Sequence, residues 1–251
     1  MIWAVLIGNT RAVAALMEKN KILKRVVIPT SRLASRAGAG AWAKRMRKAS
    51  DAEGIIVASV VPRVDRAVRI SLGRWFTPKP EFVLVGSKLG ITVGVRKPSQ
   101  VGADRLANAV AAKALFGAPV IVVDFGTGTT FDVVDRKGAY AGGAILPGLG
   151  ISLRALHDFT AKIPLVKFER AKLAIGRTTE EAVRSGIYHG AVGTTRELLL
   201  KIRKELGGGA PAIATGGWCG HFRDSGLFSH IEPDLTLVGL SLIWKNNHAT
   251  H

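Results

Sequence analysis

Three short stretches of this chain carry residue types suited to holding parts of a nucleotide. The first is Leu6-Ile7-Gly8-Asn9-Thr10, followed by Arg11, Ala12 and Val13. The second is Asp124-Phe125-Gly126-Thr127-Gly128-Thr129-Thr130. Each is a Gly/Thr turn between two apolar runs. Such a turn exposes backbone N–H groups and hydroxyls, and Gly lets the backbone approach phosphate oxygens closely. A single example is most often only a hairpin turn. Two at equivalent places are more specific: one in each half of the chain, expected to face each other and grip a nucleotide's phosphates from both sides. The third stretch, Gly216-Gly217, follows a short apolar run and has the open surface that the flat face of an adenosine needs. Taken alone it is as often a turn as a site.

The elements that must present these turns follow from the hydropathy pattern. Ile2–Ile7, Ala12–Met17 and Ile22–Pro29 read as three strands in succession. The plan returns at Pro119–Val123, Phe131–Val134 and Ala139–Ile145, with Asp135-Arg136-Lys137-Gly138 as a turn. Gly8 and Gly126 stand 118 positions apart, which marks a duplicated domain rather than a solenoid. Gly54–Val61 and Phe82–Val85 read as further strands. Helices are expected over Ala41–Lys48, Arg63–Arg74, Asp104–Leu115, Leu153–Phe159, Thr179–Leu206 and Leu235–Asn246, and Ala212–Thr215 as a strand before the Gly-Gly turn. Strands alternating with helices give an α/β chain of two lobes. The lobes are expected over residues 1–115, carrying the first turn, and 116–251, carrying the second turn and Gly216-Gly217.

The composition narrows the class. The 251 residues include 36 Lys and Arg against 18 Asp and Glu, a net charge of +18, with 47% hydrophobic residues. That is too apolar for a disordered chain. One Cys allows neither an internal disulfide nor a Cys-rich zinc site and suits a reducing compartment. No apolar run approaches the ~18 residues of a membrane span. Met1–Gly8 has no basic stretch before its apolar run, so no secretory signal is expected. The high charge favours anionic partners. Ten Lys and Arg and no acid fall between Lys19 and Lys48. The ordinary reading of that segment is a solvated helix face. It lacks interleaved aromatics and any groove-reading motif, so nucleic acid is not the expected partner. His157, His189, His221 and His230 show no metal-ligand spacing.

The order of motifs resembles the type III pantothenate kinases of the actin-like/sugar-kinase/Hsp70 ATPase superfamily. Besides the two turns, the resemblance rests on Gly102-Ala103-Asp104-Arg105, Gly142-Gly143-Ala144-Ile145, Pro147-Gly148-Leu149 and Ile175-Gly176-Arg177-Thr178-Thr179. It continues through Ser185-Gly186-Ile187, Ala214-Thr215-Gly216-Gly217 and Pro233-Asp234-Leu235-Thr236. It implies two duplicated ribonuclease H-like lobes with mixed sheets flanked by helices. It also implies ATP-dependent phosphorylation of pantothenate, the first step of coenzyme A synthesis, by a cytoplasmic homodimer using Mg²⁺ with ATP and a monovalent cation, K⁺ or NH₄⁺. By the same resemblance Asp104 is the catalytic base, since a carboxylate can take the proton of a primary hydroxyl as it attacks phosphorus. The alternative for Asp104 is a helix N-cap. Val95, Gly102, Ala103, Arg105 and Thr179 match substrate-binding positions, with Arg105 suited to the pantothenate carboxylate or a phosphate. Residues Leu6 to Val13, Thr127, Gly216 and Gly217 match ATP-binding positions, and Asp124 matches the monovalent-cation ligand. Asp132 receives no role.

Two positions depart from the family pattern. Leu6 stands where the family has an Asp that helps hold Mg²⁺, and Leu cannot ligate a metal. The duplication exposes the same gap, because Asp124 stands two before Gly126 while Leu6 stands two before Gly8. Losing one such electrostatic contact costs roughly 10²–10³ in rate. Val95 stands where the family often has a substrate-contacting Tyr. Two readings follow: a pantothenate kinase slowed by Leu6, or a non-catalytic regulatory relative. Another sugar- or acetate-type kinase is disfavoured by the Gly-Ala-Asp-Arg segment.

Overall fold

The computed structural model describes residues 1–49 and 52–248. The chain divides into two compact units: Met1–Ala114 with Asp234–His251, and Leu115–Pro233. The division expected from chain order put the C-terminal segment in the second lobe. In the structure that segment packs in the first unit instead.

In the first unit, β1 (Ile2–Ile7), β2 (Arg11–Glu18), β3 (Lys21–Pro29), β4 (Gly54–Ser59) and β5 (Glu81–Phe82) form one sheet in the order β3-β2-β1-β4-β5. The β1, β2 and β3 pairings are antiparallel, and β1–β4 and β4–β5 are parallel. β5 is shorter than the sequence pattern indicates, though Val83 N–H still donates to the Val57 carbonyl (2.8 Å). β1, β2 and β4 read as near-continuous apolar runs because both of their faces are covered, while the edge strand β3 is largely exposed. On one face α1 (Arg36–Ala49) and α2 (Pro62–Trp75) bury Ala39, Trp42, Met46, Val64, Val68 and Leu72 against Trp3, Val5, Ile7 and Val57. The larger of these, such as Met46, Val64 and Leu72, each contribute about 1.5–3 kcal/mol by leaving water. The Trp42 indole N–H donates to the Val26 carbonyl (3.2 Å), pinning α1 to β3. Residues on the other strand face, including Ala4 and Ile56, alternate with these. Elsewhere in the unit α3 (Ala103–Phe116) meets α6 (Leu235–His248).

The contact between α3 and α6 is close. A Cβ at Gly239 would lie 2.0 Å from the Ala107 carbonyl oxygen, so only Gly fits there. Beside it the Thr236 hydroxyl donates to Asn108 Oδ1 (2.7 Å), and Asn108 is fully buried. A Cβ at Gly54 would lie 2.0 Å from the Trp244 ring, which places α6 against the start of β4.

The second unit repeats the plan. Its sheet runs β8-β7-β6-β9-β10, from β6 (Val120–Phe125), β7 (Gly128–Val134), β8 (Tyr140–Pro147), β9 (Ala212–Thr215) and β10 (His230–Ile231). The β6, β7 and β8 pairings are antiparallel, and β6–β9 and β9–β10 are parallel. Thus β6 corresponds to β1, and β9 to β4. Helices α4 (Leu149–Asp158) and α5 (Thr179–Glu205) bury Leu149, Leu153, Val183, Tyr188 and Leu199 against Ile121, Val123 and Phe125. α5 opens with a capping box: Thr178 Oγ1 accepts from Glu181 N–H (3.2 Å), and the Glu181 carboxylate accepts from Thr178 N–H (3.2 Å).

Candidate active site

The first turn is built by β1 running out at Ile7. Gly8 N–H donates to the Arg11 carbonyl (3.0 Å), and a Cβ at Gly8 would press on that same oxygen at 3.3 Å. Thr30 fastens the turn from the end of β3. Its hydroxyl donates to the Gly8 carbonyl (2.6 Å), and its N–H donates to the Thr10 carbonyl (3.1 Å). With the turn held from beneath, Asn9, Thr10 and Arg11 are exposed. Ala12 is buried and Val13 half-buried within β2, so those two shape the turn from inside the strand. Thr30 is a positioning residue that the sequence reading missed. Its signal was a Thr at the far end of the hairpin, which local pattern does not distinguish from any strand terminus.

Asp104 lies in the same unit, in the first turn of α3. The Gly102 carbonyl accepts from Leu106 N–H (3.1 Å), so the helix begins before Asp104, which is not its cap. The Asp104 carboxylate accepts from Arg105 N–H (2.8 Å). It folds over Gly102: a Cβ there would lie 2.5 Å from Asp104 Oδ1 and 3.4 Å from Val60 Cγ1. Val60 N–H in turn donates to the Ile7 carbonyl (3.1 Å), at the residue where the first turn begins. Burial pushes the Asp104 carboxyl above its ordinary value of 3.8, and the Arg105 N–H and guanidinium only partly offset that. A carboxylate held in this way is a stronger base than a solvated one. Arg105 is half-buried. Ala103 is buried, while Val95 is half-buried in the irregular segment before the short helical turn at Pro98–Gln100.

In the second unit the chemistry gathers around Asp124. Gly126 N–H donates to the Gly128 carbonyl (3.1 Å), closing the turn, with Thr127 exposed at its tip. Gly148 lets the segment after β8 brace that turn, since a Cβ there would lie 2.0 Å from the Thr127 carbonyl. Gly216 has φ +88, and a Cβ on it would lie 2.3 Å from Asp124 Oδ1 and 2.7 Å from the Phe125 carbonyl carbon. Gly216 therefore answers both a left-handed backbone and a close approach. Trp218 N–H donates to the Phe125 carbonyl (3.2 Å), tying the Gly216-Gly217 turn to the end of β6. The three parts predicted from sequence in this half, Asp124, Gly126–Gly128 and Gly216-Gly217, thus form one cluster. The charge of Asp124 reaches its neighbours: burial first, and then that carboxylate, push the Cys219 thiol up to about 11.

The two halves differ at one equivalent place. β1 and β6 show the same burial along their length, fully buried except for the fifth residue, which is partly exposed. That residue is Leu6 in β1 and Asp124 in β6. The Asp124 carboxylate sits in a cradle that side chains at 126 or 216 would fill, and its oxygen donors suit a hard cation. Position 6 offers no oxygen, and among the described residues no three His, Cys, Asp or Glu come together to hold a metal. The first turn thus offers no carboxylate to a divalent ion at the position where β6 offers Asp124.

Thr179 is exposed at the start of α5, where Arg177 N–H donates to the Glu181 carboxylate (2.8 Å). Gly176 packs on that first turn; a Cβ there would lie 2.2 Å from Ala182 N. Asp132 is fully buried and accepts from the Thr130 and Tyr140 hydroxyls, each at 3.2 Å.

Comparison with known proteins shows the family and the fold. Residues 3–201 match the family model for type III pantothenate kinase. The type III pantothenate kinase of Listeria welshimeri is 37% identical over 256 residues, covering 100% of this chain and 99% of that one. That of Legionella pneumophila strain Corby is 37% identical over 257 residues, covering 99% and 100%. Among solved structures, a Baf family transcriptional activator from Campylobacter jejuni superposes with TM-score 0.60 at 16% identity, covering 98% of each chain. An inorganic polyphosphate/ATP-glucomannokinase from Arthrobacter superposes with TM-score 0.50 at 16% identity, covering 96% of each. These structures share the actin-like sugar-kinase fold of two lobes with mixed sheets, and the paired β3-β2-β1-β4-β5 and β8-β7-β6-β9-β10 sheets are that fold's duplication. By the family match and by identity across its whole length, the chain belongs to the type III pantothenate kinase family.

Proposed function

We propose that this chain transfers the γ-phosphoryl group of ATP to the primary hydroxyl of pantothenate, giving 4'-phosphopantothenate at the entry to coenzyme A synthesis. Family membership supports an ATP-dependent pantothenate kinase that takes its nucleotide with Mg²⁺. The observation that carries the reading to a residue is Asp104, a half-buried carboxylate whose desolvation raises its pKa, in the unit of the first Gly turn. Asp104 accepts the pantothenate hydroxyl proton as the oxygen attacks phosphorus. Arg105 pairs with a substrate anion, and Gly102 and Ala103 leave room beside Asp104. Val95 and Thr179 complete the substrate contacts. The turn from Leu6 through Arg11, with Ala12 and Val13 behind it, offers backbone donors to phosphate, as do Thr127 and its neighbours. Gly216 and Gly217 present an open face for adenosine. Mg²⁺ supplies charge neutralisation on the phosphates when it arrives with ATP. Asp124 holds a monovalent cation, K⁺ or NH₄⁺. We assign the enzyme to the cytoplasm, where ATP is plentiful; among the described residues no helix is long and apolar enough to cross a membrane.

A homodimer belongs to the same reading. Phe159 (89%), Ile175 (81%), Leu173 (72%) and Ile145 (67%) are exposed on the second unit, apolar side chains that a second copy would cover. Sedimentation should show a dimer that Phe159→Glu with Ile175→Glu converts to a monomer.

The test is ADP release with ATP, pantothenate, Mg²⁺ and K⁺ present. Turnover that needs pantothenate and is lost in Asp104→Asn supports the kinase. Nucleotide binding without turnover supports the second reading, a non-catalytic regulatory relative, which Leu6 in the place of a metal-ligating Asp favours.

A further inference from the structure

The net charge is distributed unevenly. The first unit holds 22 of the 36 Lys and Arg and 7 of the 18 Asp and Glu, so it carries +15 of the +18. Sequence alone placed part of this excess between Lys19 and Lys48. Folding joins a second source to it. Helices α1 and α2 pack side by side on one face of the first sheet, with their apolar stripes against the strands. Arg36, Lys44, Arg45, Arg47 and Lys48 of α1 are exposed, and so are Arg63, Arg66, Arg69 and Arg74 of α2. The two helices contain one acid, Asp65, whose carboxylate already accepts the Ser59 hydroxyl (2.5 Å).

We propose that this two-helix face binds the phosphodiester backbone of a nucleic-acid duplex, without reading its sequence. Each helix has 14 residues and is therefore about 21 Å long. A duplex carries one charge per ~1.7 Å of its axis, so about a dozen phosphate charges lie along such a face. Most of the cations are Arg, whose planar fork grips phosphate oxygens in pairs. Arg69 is held in place by its guanidinium over the Phe82 ring, 3.6 Å from the centroid. A lipid surface fits less well. An interfacial helix inserts a full apolar face, whereas here Trp42, Met46, Val64, Val68 and Leu72 are spent on the sheet. Ile70 and Trp75 are the large apolar side chains of α2 left exposed. A single strand fits less well too, since Trp75 is the one exposed aromatic on the two helices, and successive bases need a row of stacking platforms. The inference stands apart from the catalytic reading, because none of these residues belongs to either phosphate turn.

The test measures binding of the full chain to a labelled DNA duplex and RNA duplex, each about 25 base pairs, across a salt series. The expected slope of log K against log salt is about −4 or steeper, because each phosphate neutralised contributes about −0.9. Reversing Lys44, Arg45, Lys48 and Arg66 to Glu should weaken duplex binding by at least about 30-fold. Reversing Lys137, Lys162, Arg196 and Lys204 of the second unit makes the same change in net charge and should leave binding within about 3-fold. Pantothenate turnover and thermal stability should be unchanged in both. If the first variant does not fold, Lys44→Gln with Arg45→Gln should flatten the slope by about 2. Equal losses in the two reversal variants would refute a local face, as would a flat salt response. Tighter binding to a single strand, or to vesicles rich in phosphatidylserine, would replace the duplex as occupant and overturn the proposal.

Discussion

Replacing Asp104 with Asn separates catalysis from folding at one residue. The change keeps the side chain's size and leaves an oxygen to accept the Arg105 N–H, which lies 2.8 Å from the carboxylate. It removes the only feature the proposed step needs, a proton acceptor. General-base assistance is worth about 10²–10⁴ in rate, or about 2.7–5.5 kcal/mol of barrier. The kcat for pantothenate should fall by that factor, with KM for ATP little changed. Stability should move the other way. Burial raises the Asp104 carboxyl above 3.8, so in the folded state the protonated form is favoured. The stabilising contribution of that shift is present below the unfolded value and is lost as pH rises through the folded one. At neutral pH the ionised group therefore opposes folding, and Asn, which has no charge to desolvate, relieves that cost. The melting temperature of Asp104→Asn should exceed that of the parent at pH 7, and the gap should narrow as pH falls toward 3.8. The same ionisation should give kcat/KM an acid limb in the parent that the variant lacks. Steady-state ADP release and calorimetry across pH read both effects. A variant within about tenfold of parental kcat, or one less stable at pH 7, would refute the assignment.

Leu6→Asp should raise kcat by roughly 10²–10³ and sharpen its Mg²⁺ dependence, read by the same assay over a metal titration, because it supplies the carboxylate that the equivalent strand position has in Asp124. Asp124→Asn should abolish any activation by K⁺ and lower the Cys219 thiol pKa below about 11, since it removes a charge that raises it; ultraviolet titration of the thiolate reads the second effect. Gly216→Ala should weaken ATP binding and cost about 1–3 kcal/mol of stability, because it strains a φ of +88 and sets a methyl 2.3 Å from Asp124 Oδ1; isothermal and thermal titrations check the two.

Much of the fold is written locally. Runs such as Ile2–Ile7 and Val120–Phe125 are apolar and β-branched because both faces of their sheets are covered, and that pattern needs no distant partner to be recognised. The Gly/Thr turns are equally local, since their conformation depends on a few adjacent residues. The division of the lobes was legible only in part. The break near residue 115 is visible, but nothing in Leu235–His248 says which sheet it joins. That choice rests on Gly239 meeting Ala107 and on Trp244 meeting Gly54, contacts between residues more than a hundred positions apart.

By itself, then, the sequence determined the duplicated strand plan, the two turns, the Gly-Gly turn and the substitution of Leu6 for an acid, because hydropathy period and turn chemistry are properties of neighbours. Tertiary structure alone decided the rest. It buried Asp104 enough to raise its pKa, seated Asp124 between Gly126 and Gly216, fastened the first turn through Thr30, and laid the cations of α1 beside those of α2. Desolvation and charge density depend on what the chain brings together from afar, and no local pattern encodes either.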